Sequence, residues 1–134
     1  MSRERIRDEA GRLSRPGSKV RCEDVGEQVA VILEPYTLPV AAVYSSNVIE
    51  ALAFLVPAIY PDAVPDTSGF YIKPRTLTVM ESKGQPQATN ADADLLGEKW
   101  MKFSWGPKGP QFDPTRDSLE THLATLEGRF LRKN

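Results

Sequence analysis

The side chains best suited to nucleophilic or metal chemistry are scarce in this chain of 134 residues, which has one cysteine and one histidine. Cys22 alone cannot form an internal disulfide, and with His122 it falls short of the four ligands of a structural zinc site. We therefore expect no metal and no cofactor. We expect Cys22 to be a small, buried, unreactive residue, because only Arg21 nearby would lower its pKa.

Three aspartates offer weaker acid–base chemistry. Asp62 and Asp66 could form an acid–base pair, but both lie in a proline-rich stretch, where aspartate commonly makes turns. Asp113 precedes a proline and fits a helix cap. We therefore expect these carboxylates to be structural, and we assign Tyr60, Pro61, Pro65 and Asp66 to a rigid loop packed against the protein.

Two groups of side chains could contact a partner. The first segment of the chain is rich in arginine, and these residues are either a solvated helix face or a surface for an acidic partner: Arg3, Arg5, Arg7 and Arg12, followed by Arg15. Further along, Trp100, Phe103 and Trp105 are spaced so that they would not all be buried together. We predict that Trp100 and Trp105 belong to a contact patch.

Composition excludes several classes of function. Seventeen basic residues face eighteen acidic ones, for a net charge of −1, so we expect no nucleic-acid binding through general charge. The longest apolar runs, 29–33 and 51–58, are too short to span a bilayer. The first residues are charged and lack the apolar stretch of a secretory signal, so we expect a cytoplasmic, single-domain protein over residues 1–134.

The elements that must position these residues can be read from periodicity and turn signals. We predict an N-terminal helix over 1–15, followed by strands at 19–25 and 28–33 with a turn between them. The segment 47–56 has a composition that also suits a helix, but the buried strand before it needs an antiparallel neighbour, which favours a strand.

The second half of the chain is less regular. After the proline-rich loop we predict a strand at 69–72, a further candidate strand at 76–80 and an exposed loop over 82–94, while 98–105 could be strand or irregular. The last segment, 113–132, is predicted to be a helix with one apolar stripe. The order predicts an α+β fold, in which a four-stranded antiparallel meander carries both helices and a long proline-rich loop.

This order and its motifs resemble the ubiquitin-conjugating-enzyme-like (UBC-like) superfamily, and most closely its bacterial branch. The resemblance covers roughly 20–131. It is carried by three stretches: QVAVILEPYTLP in the second strand, LVPAIYPDAVPD after the third, and Gln111-Phe112-Asp113-Pro114 before the last helix. It implies two partners, a ubiquitin-like protein and an adenylating, activating-type enzyme, the latter docking on the first helix.

The chain also departs from the family pattern. No cysteine follows Cys22, so the usual thioester cannot form, and Lys73-Pro74-Arg75 stands where the family has His-Pro-Asn. In the family the catalytic cysteine lies about eight residues before a tryptophan. Counting eight back from Phe112, which replaces that tryptophan, gives Ser104.

Two functions remain open at this point. Ser104 could carry the modifier as an oxyester, with His122 as its general base if the two come within reach, or it could be only a polar residue at a strand end. In the alternative, the protein is an inactive UBC-like adaptor that binds the modifier and the activating enzyme without transfer. The proline-rich loop would then shape a groove for an extended peptide.

Overall fold

The computed structural model describes residues 2–13, 15, 17–37, 48–65, 69–73, 91–104, 112–113 and 115–131. It has an α+β architecture with two helices and a main antiparallel sheet. The helices are α1 (Ser2–Gly11) and α2 (Leu119–Leu131). The strands are β1 (Lys19–Val25), β2 (Gln28–Glu34), β3 (Tyr36–Thr37), β4 (Val48–Ile49), β5 (Ala51–Pro57), β6 (Gly69–Lys73), β7 (Ala91–Leu95) and β8 (Glu98–Ser104).

The main sheet has six strands in the order β1-β2-β5-β6-β8-β7, and every neighbouring pair is antiparallel. The first four strands in this order form the predicted meander. The sheet is larger than predicted, because β8 adds to β6 and the polar segment of β7 pairs with β8. Residues 91–94, which we assigned to an exposed loop, therefore belong to an edge strand, while 82–90 lie outside the described residues.

The centre of the sheet is apolar on both faces, as the sequence predicted. All five residues 29–33 of β2 have no exposed surface, and Val31 lies opposite Phe54 of β5. The segment 47–56 contributes strands, not a helix, over the part that is described. A tight turn joins β1 to β2 at Gly26, whose φ of 59° suits glycine at the first central position of a two-residue hairpin loop.

Both helices pack on one face of the sheet. Ile6 and Ala10 of α1 share one apolar core with Leu119, Leu123 and Leu126 of α2. The helices are shorter than predicted. Helix α1 ends at Gly11 instead of 15, and α2 begins six residues after 113, because the side chain of Asp113 accepts hydrogen bonds from Thr115 within a separate turn.

The opposite face of the sheet has a second, smaller core. Three alanines, Ala30, Ala51 and Ala53, lie in one cluster with Leu95 and Trp100 of the β7–β8 hairpin. Small side chains on the central strands leave room for the large indole, so this hairpin is integrated into the packing.

Several predicted features lie outside the described residues, namely the candidate strand at 76–80 and the positions Asp66 and Trp105. In the part of the chain that the structure describes, neither helix combines the length and apolar character needed to cross a membrane.

Candidate functional site

The candidate carrier residue, Ser104, is the last residue of β8. Its backbone lies opposite Gly69, the first residue of β6, so both belong to one end of that strand pair. Sequence reasoning left 98–105 as strand or irregular, and the structure has a strand that ends at Ser104. Ser104 therefore lies at the C-terminal end of a regular strand.

The single cysteine is distant from this strand end in the sheet. Cys22 lies in β1, opposite Val31 of β2, and three strands separate β1 from β8 in the sheet order. It is half-buried against the main core, and burial raises the pKa of its thiol, although the charge of Arg7 acts in the opposite direction. A raised pKa disfavours the thiolate, which is the nucleophilic form.

His122 lies on the core side of α2. It is 2% exposed, and its ring makes edge contacts with Phe54 and Phe112 at centroid distances of 5.1 and 6.2 Å. In this setting the ring packs with the aromatic side chains of the core.

A buried carboxylate on α1 joins three parts of the fold. The side chain of Glu9 is 9% exposed. Its Oε2 accepts a hydrogen bond from Arg5 Nε at 2.8 Å, and its Oε1 accepts bonds from the Tyr60 hydroxyl at 2.8 Å and the Leu119 backbone N–H at 2.9 Å. We refer to Arg5, Glu9, Tyr60 and the Leu119 amide as the Glu9 cluster.

The Glu9 cluster favours the ionised carboxylate. Burial would raise the pKa of Glu9, but the hydrogen bonds from Arg5, Leu119 and Tyr60 and the charge of Arg5 outweigh it, and the pKa lies below its usual 4.5. In turn, burial and the Glu9 carboxylate raise the pKa of the Tyr60 hydroxyl, which stays protonated as a donor. The first turn of a helix has unpaired N–H groups and a positive dipole end, so Glu9 caps α2 from another helix.

A second carboxylate holds the other half of α2. Glu127 accepts two hydrogen bonds from Arg15, at 2.9 Å from Nε and 2.7 Å from NH2, and one from the Tyr36 hydroxyl at 2.6 Å. Arg15 also pairs with Glu120 at 2.9 Å. Sequence reasoning missed these contacts, since Arg15 and Glu127 are 112 positions apart in the chain.

The arginines of α1 engage acidic groups of the chain itself. Arg3 pairs with Asp24 of β1 at 2.7 Å, Arg7 lies 3.9 Å from the same carboxylate, and Arg12 pairs with Asp8 at 2.7 Å. Arg12 is 72% exposed, so its ion pair contributes little to stability. An acidic partner would compete with these pairs.

The proline-rich loop is packed where it is described. Tyr60 and Pro65 are buried and Pro61 is half-buried, whereas Ile59 is 58% exposed. A shallow groove of about 690 Å³ lies beside the loop and is lined by Arg3, Val25, Glu27, Gln28, Pro57, Ala58 and Ile59.

The indole of Trp100 is not available as a surface contact. It is 1% exposed, and its Nε1–H donates a hydrogen bond to the Leu95 carbonyl at 3.1 Å. Lys73 covers it, with Nζ 4.7 Å from the ring centroid, and pairs with Glu98 at 2.6 Å. The prediction that Trp100 belongs to an exposed contact patch is wrong, because the register of β8 turns its side chain towards the alanines of the central strands.

Among the described residues, no group of three or more histidine, cysteine, aspartate or glutamate side chains is arranged to hold a metal ion.

Sequence reasoning also missed the role of Glu9. Its spacing of four from Arg5 gave a signal for an ion pair, but nothing local indicated Tyr60 or Leu119.

The α+β fold, with two helices on one face of an antiparallel sheet, and the Tyr60 loop after β5 are consistent with the UBC-like class. The family model for prokaryotic E2 family E matches residues 12–133. The chain therefore belongs to prokaryotic E2 family E, which confirms the bacterial UBC-like resemblance. Comparisons with curated proteins and with solved structures returned no match.

Proposed function

We propose that this protein acts in a bacterial ubiquitin-like modification pathway and accepts the modifier from an adenylating enzyme on the hydroxyl of Ser104. The observation that carries the proposal is the position of Ser104 at the end of β8, opposite Gly69, in a chain that belongs to an E2 family. Three strands lie between β1, which contains Cys22, and β8. Burial also raises the pKa of the Cys22 thiol, so this residue is a poor carrier.

The transfer is an ordinary acyl substitution. The Ser104 oxygen attacks the carbonyl carbon of the modifier's C-terminal acyl adenylate, the bond from that carbon to the phosphate oxygen breaks, and AMP leaves. The hydroxyl proton passes to a base in the solvent or on the adenylating enzyme. Serine is a weaker nucleophile than a thiolate, so the reaction depends on activation of this kind.

A second candidate function is an adaptor that binds both partners without transfer. The setting of His122 favours it, because a buried ring packed between Phe54 and Phe112 is an unpromising general base. In that case the groove beside Ile59 and the arginines of α1 are the surfaces through which the adaptor binds.

Intact-mass spectrometry separates these functions. The protein is incubated with ATP and with the adenylating enzyme and ubiquitin-like protein of the same organism, and each sample is then treated with thiol reductant or with mild base. We expect an adduct that resists reductant, yields to base and disappears in Ser104→Ala.

The Ser104→Cys variant sharpens the test, because a carrier position should then form a thioester that reductant cleaves. Ser118→Cys, at the serine before α2, is the matched control and should form none. Retention of the adduct in Ser104→Ala would overturn the carrier proposal. No adduct in any sample, together with a stable complex on a sizing column, would establish the adaptor function in its place.

A further inference from the structure

The Glu9 cluster connects an exposed side chain to the buried start of α2. The Arg5 side chain of α1 is 45% exposed, whereas the Glu9 side chain that it contacts is 9% exposed. The guanidinium also lies 5.5 Å from the centroid of the buried Tyr60 ring. A molecule that contacts α1 can therefore reach Arg5 directly, whereas Glu9 and Tyr60 are buried behind it.

Both internal bonds of this cluster end on one oxygen. Glu9 Oε1 accepts from the Tyr60 hydroxyl and from the Leu119 N–H, while Oε2 faces Arg5. A change in the charge or orientation of this single carboxylate therefore acts on the loop after β5 and on the first turn of α2 together. Leu119 itself has no exposed surface, so water does not easily replace Glu9 as the acceptor.

We propose that Glu9 is a positioning residue that transmits contact with the exposed Arg5 of α1 to Tyr60 in the proline-rich loop and to the start of α2. The physical reason is the cost of a desolvated carboxylate without its counter-charge. When an acidic group of a partner draws Arg5 away, the Glu9 carboxylate loses its counter-charge and is favoured to turn towards solvent, which weakens its bond to the Leu119 N–H.

The effect of this coupling on modifier transfer rests on the proposed function. If an activating-type enzyme docks on α1, its contact with Arg5 changes the start of α2, the helix that follows Ser104 in the sequence. Docking and modifier transfer would then be coupled inside the protein. The contacts themselves are properties of the isolated chain, so they can be tested without a partner, and failure of one proposal is distinguishable from failure of the other.

The test uses amide hydrogen exchange of the full chain, measured by NMR at the Leu119 N–H. We expect Arg5→Gln to speed exchange of this amide about tenfold, the effect of losing one charge-assisted hydrogen bond. Arg12→Gln is the matched control, because Arg12, the residue directly after α1, forms an ion pair of the same spacing with Asp8 of that helix. It should leave the Leu119 rate unchanged, and Arg5→Lys, which keeps the positive charge, should largely restore it.

A second readout is the pH at which the Leu119 amide resonance titrates with Glu9. The groups that act on this carboxylate are Arg5, Tyr60 and the Leu119 N–H. The midpoint should lie below 4.5 in the wild type and rise in Arg5→Gln, because the carboxylate loses the charge and hydrogen bond of Arg5. The proposal is overturned if Arg5→Gln leaves both rate and midpoint unchanged. It is equally overturned if the amide of Val31 in β2 speeds up as much as that of Leu119, since the effect would then be a general loss of stability.

Discussion

At the scale of single residues, the structure separates exposed ion pairs from buried ones on the same helix. Asp8 and Arg12 form a pair whose side chains are 63% and 72% exposed. In the pair between Arg5 and Glu9, by contrast, the carboxylate is only 9% exposed, and it adds bonds to Tyr60 and Leu119. Because an unpaired buried group loses solvation without compensation, the second arrangement is the costly one to disturb.

We expect Glu9→Gln to lower the free energy of unfolding at neutral pH by about 2 kcal/mol, because the amide keeps an acceptor but loses the charge-assisted bonds. The pKa of Glu9 is lower in the folded protein than its usual 4.5. Its contribution to stability is therefore present above that value and is lost as the pH falls through the folded-state pKa. The difference between wild type and variant should shrink in this acidic window.

Urea unfolding at a series of pH values measures this difference. Asp8→Asn is the control, since loss of an exposed pair should cost less than about 0.5 kcal/mol at any pH. A difference between Glu9→Gln and wild type that stays constant from neutral to acidic pH would contradict the argument.

At the scale of elements, the turn of the β7–β8 hairpin has a strained backbone at a residue that is not glycine. Its two turn residues, Leu96 and Gly97, have φ values of 55° and 75°. Glycine adopts this region freely, but leucine does so at a cost, and asparagine is far better tolerated there. Leu96 is also 37% exposed, so part of this apolar side chain lies in solvent.

We expect Leu96→Asn to raise the free energy of unfolding by about 0.5 kcal/mol, because an Asn-Gly pair suits a two-residue hairpin turn. Leu96→Ala is the matched control, as it removes the same side chain but keeps the unfavourable backbone region, and it should bring no gain. The two variants can be compared by their midpoints in urea. Equal midpoints would mean that the gain, if any, came from removing an exposed leucine.

The sequence predicted elements well where the signal was local. The bounds of β1, the strand at 28–33 and the tight turn between them followed from β-rich runs and Gly26. The start of α2 did not, because Asp113 satisfies local rules for a cap while the actual cap, Glu9, lies 110 positions away from Leu119. Such a contact has no signature in residue spacing.

The errors around the candidate site also concern contacts between segments that are distant in sequence or on different strands. The polar segment 91–95 gave no strand pattern, and it is a strand because β8 pairs with it. The burial of Trp100 depends on which face of β8 meets the alanines of the central strands, and that register became evident only with the fold. Ser104 was found through the family resemblance, since no property of the serine itself distinguishes it.

At the scale of the whole molecule, two arginine–glutamate–tyrosine groups fasten α2 to the N-terminal region, to β3 and to the proline-rich loop. Glu9 holds its first turn through Leu119, and Glu127 anchors its second half to Arg15 and Tyr36. Both groups bring together parts of the chain that are distant in sequence. The two helices therefore depend on each other for their positions on the sheet.

The ion pair between Arg15 and Glu127 holds the second half of α2. Arg15 and Glu127 are 21% and 18% exposed and meet through two hydrogen bonds. We expect Arg15→Gln to lower the free energy of unfolding by about 2–3 kcal/mol, because it leaves a half-buried carboxylate without its counter-charge. Arg12→Gln, which removes an exposed pair, should cost less than about 0.5 kcal/mol. Urea unfolding followed by circular dichroism measures both, and similar losses in the two variants would show that Arg15 does not fasten α2.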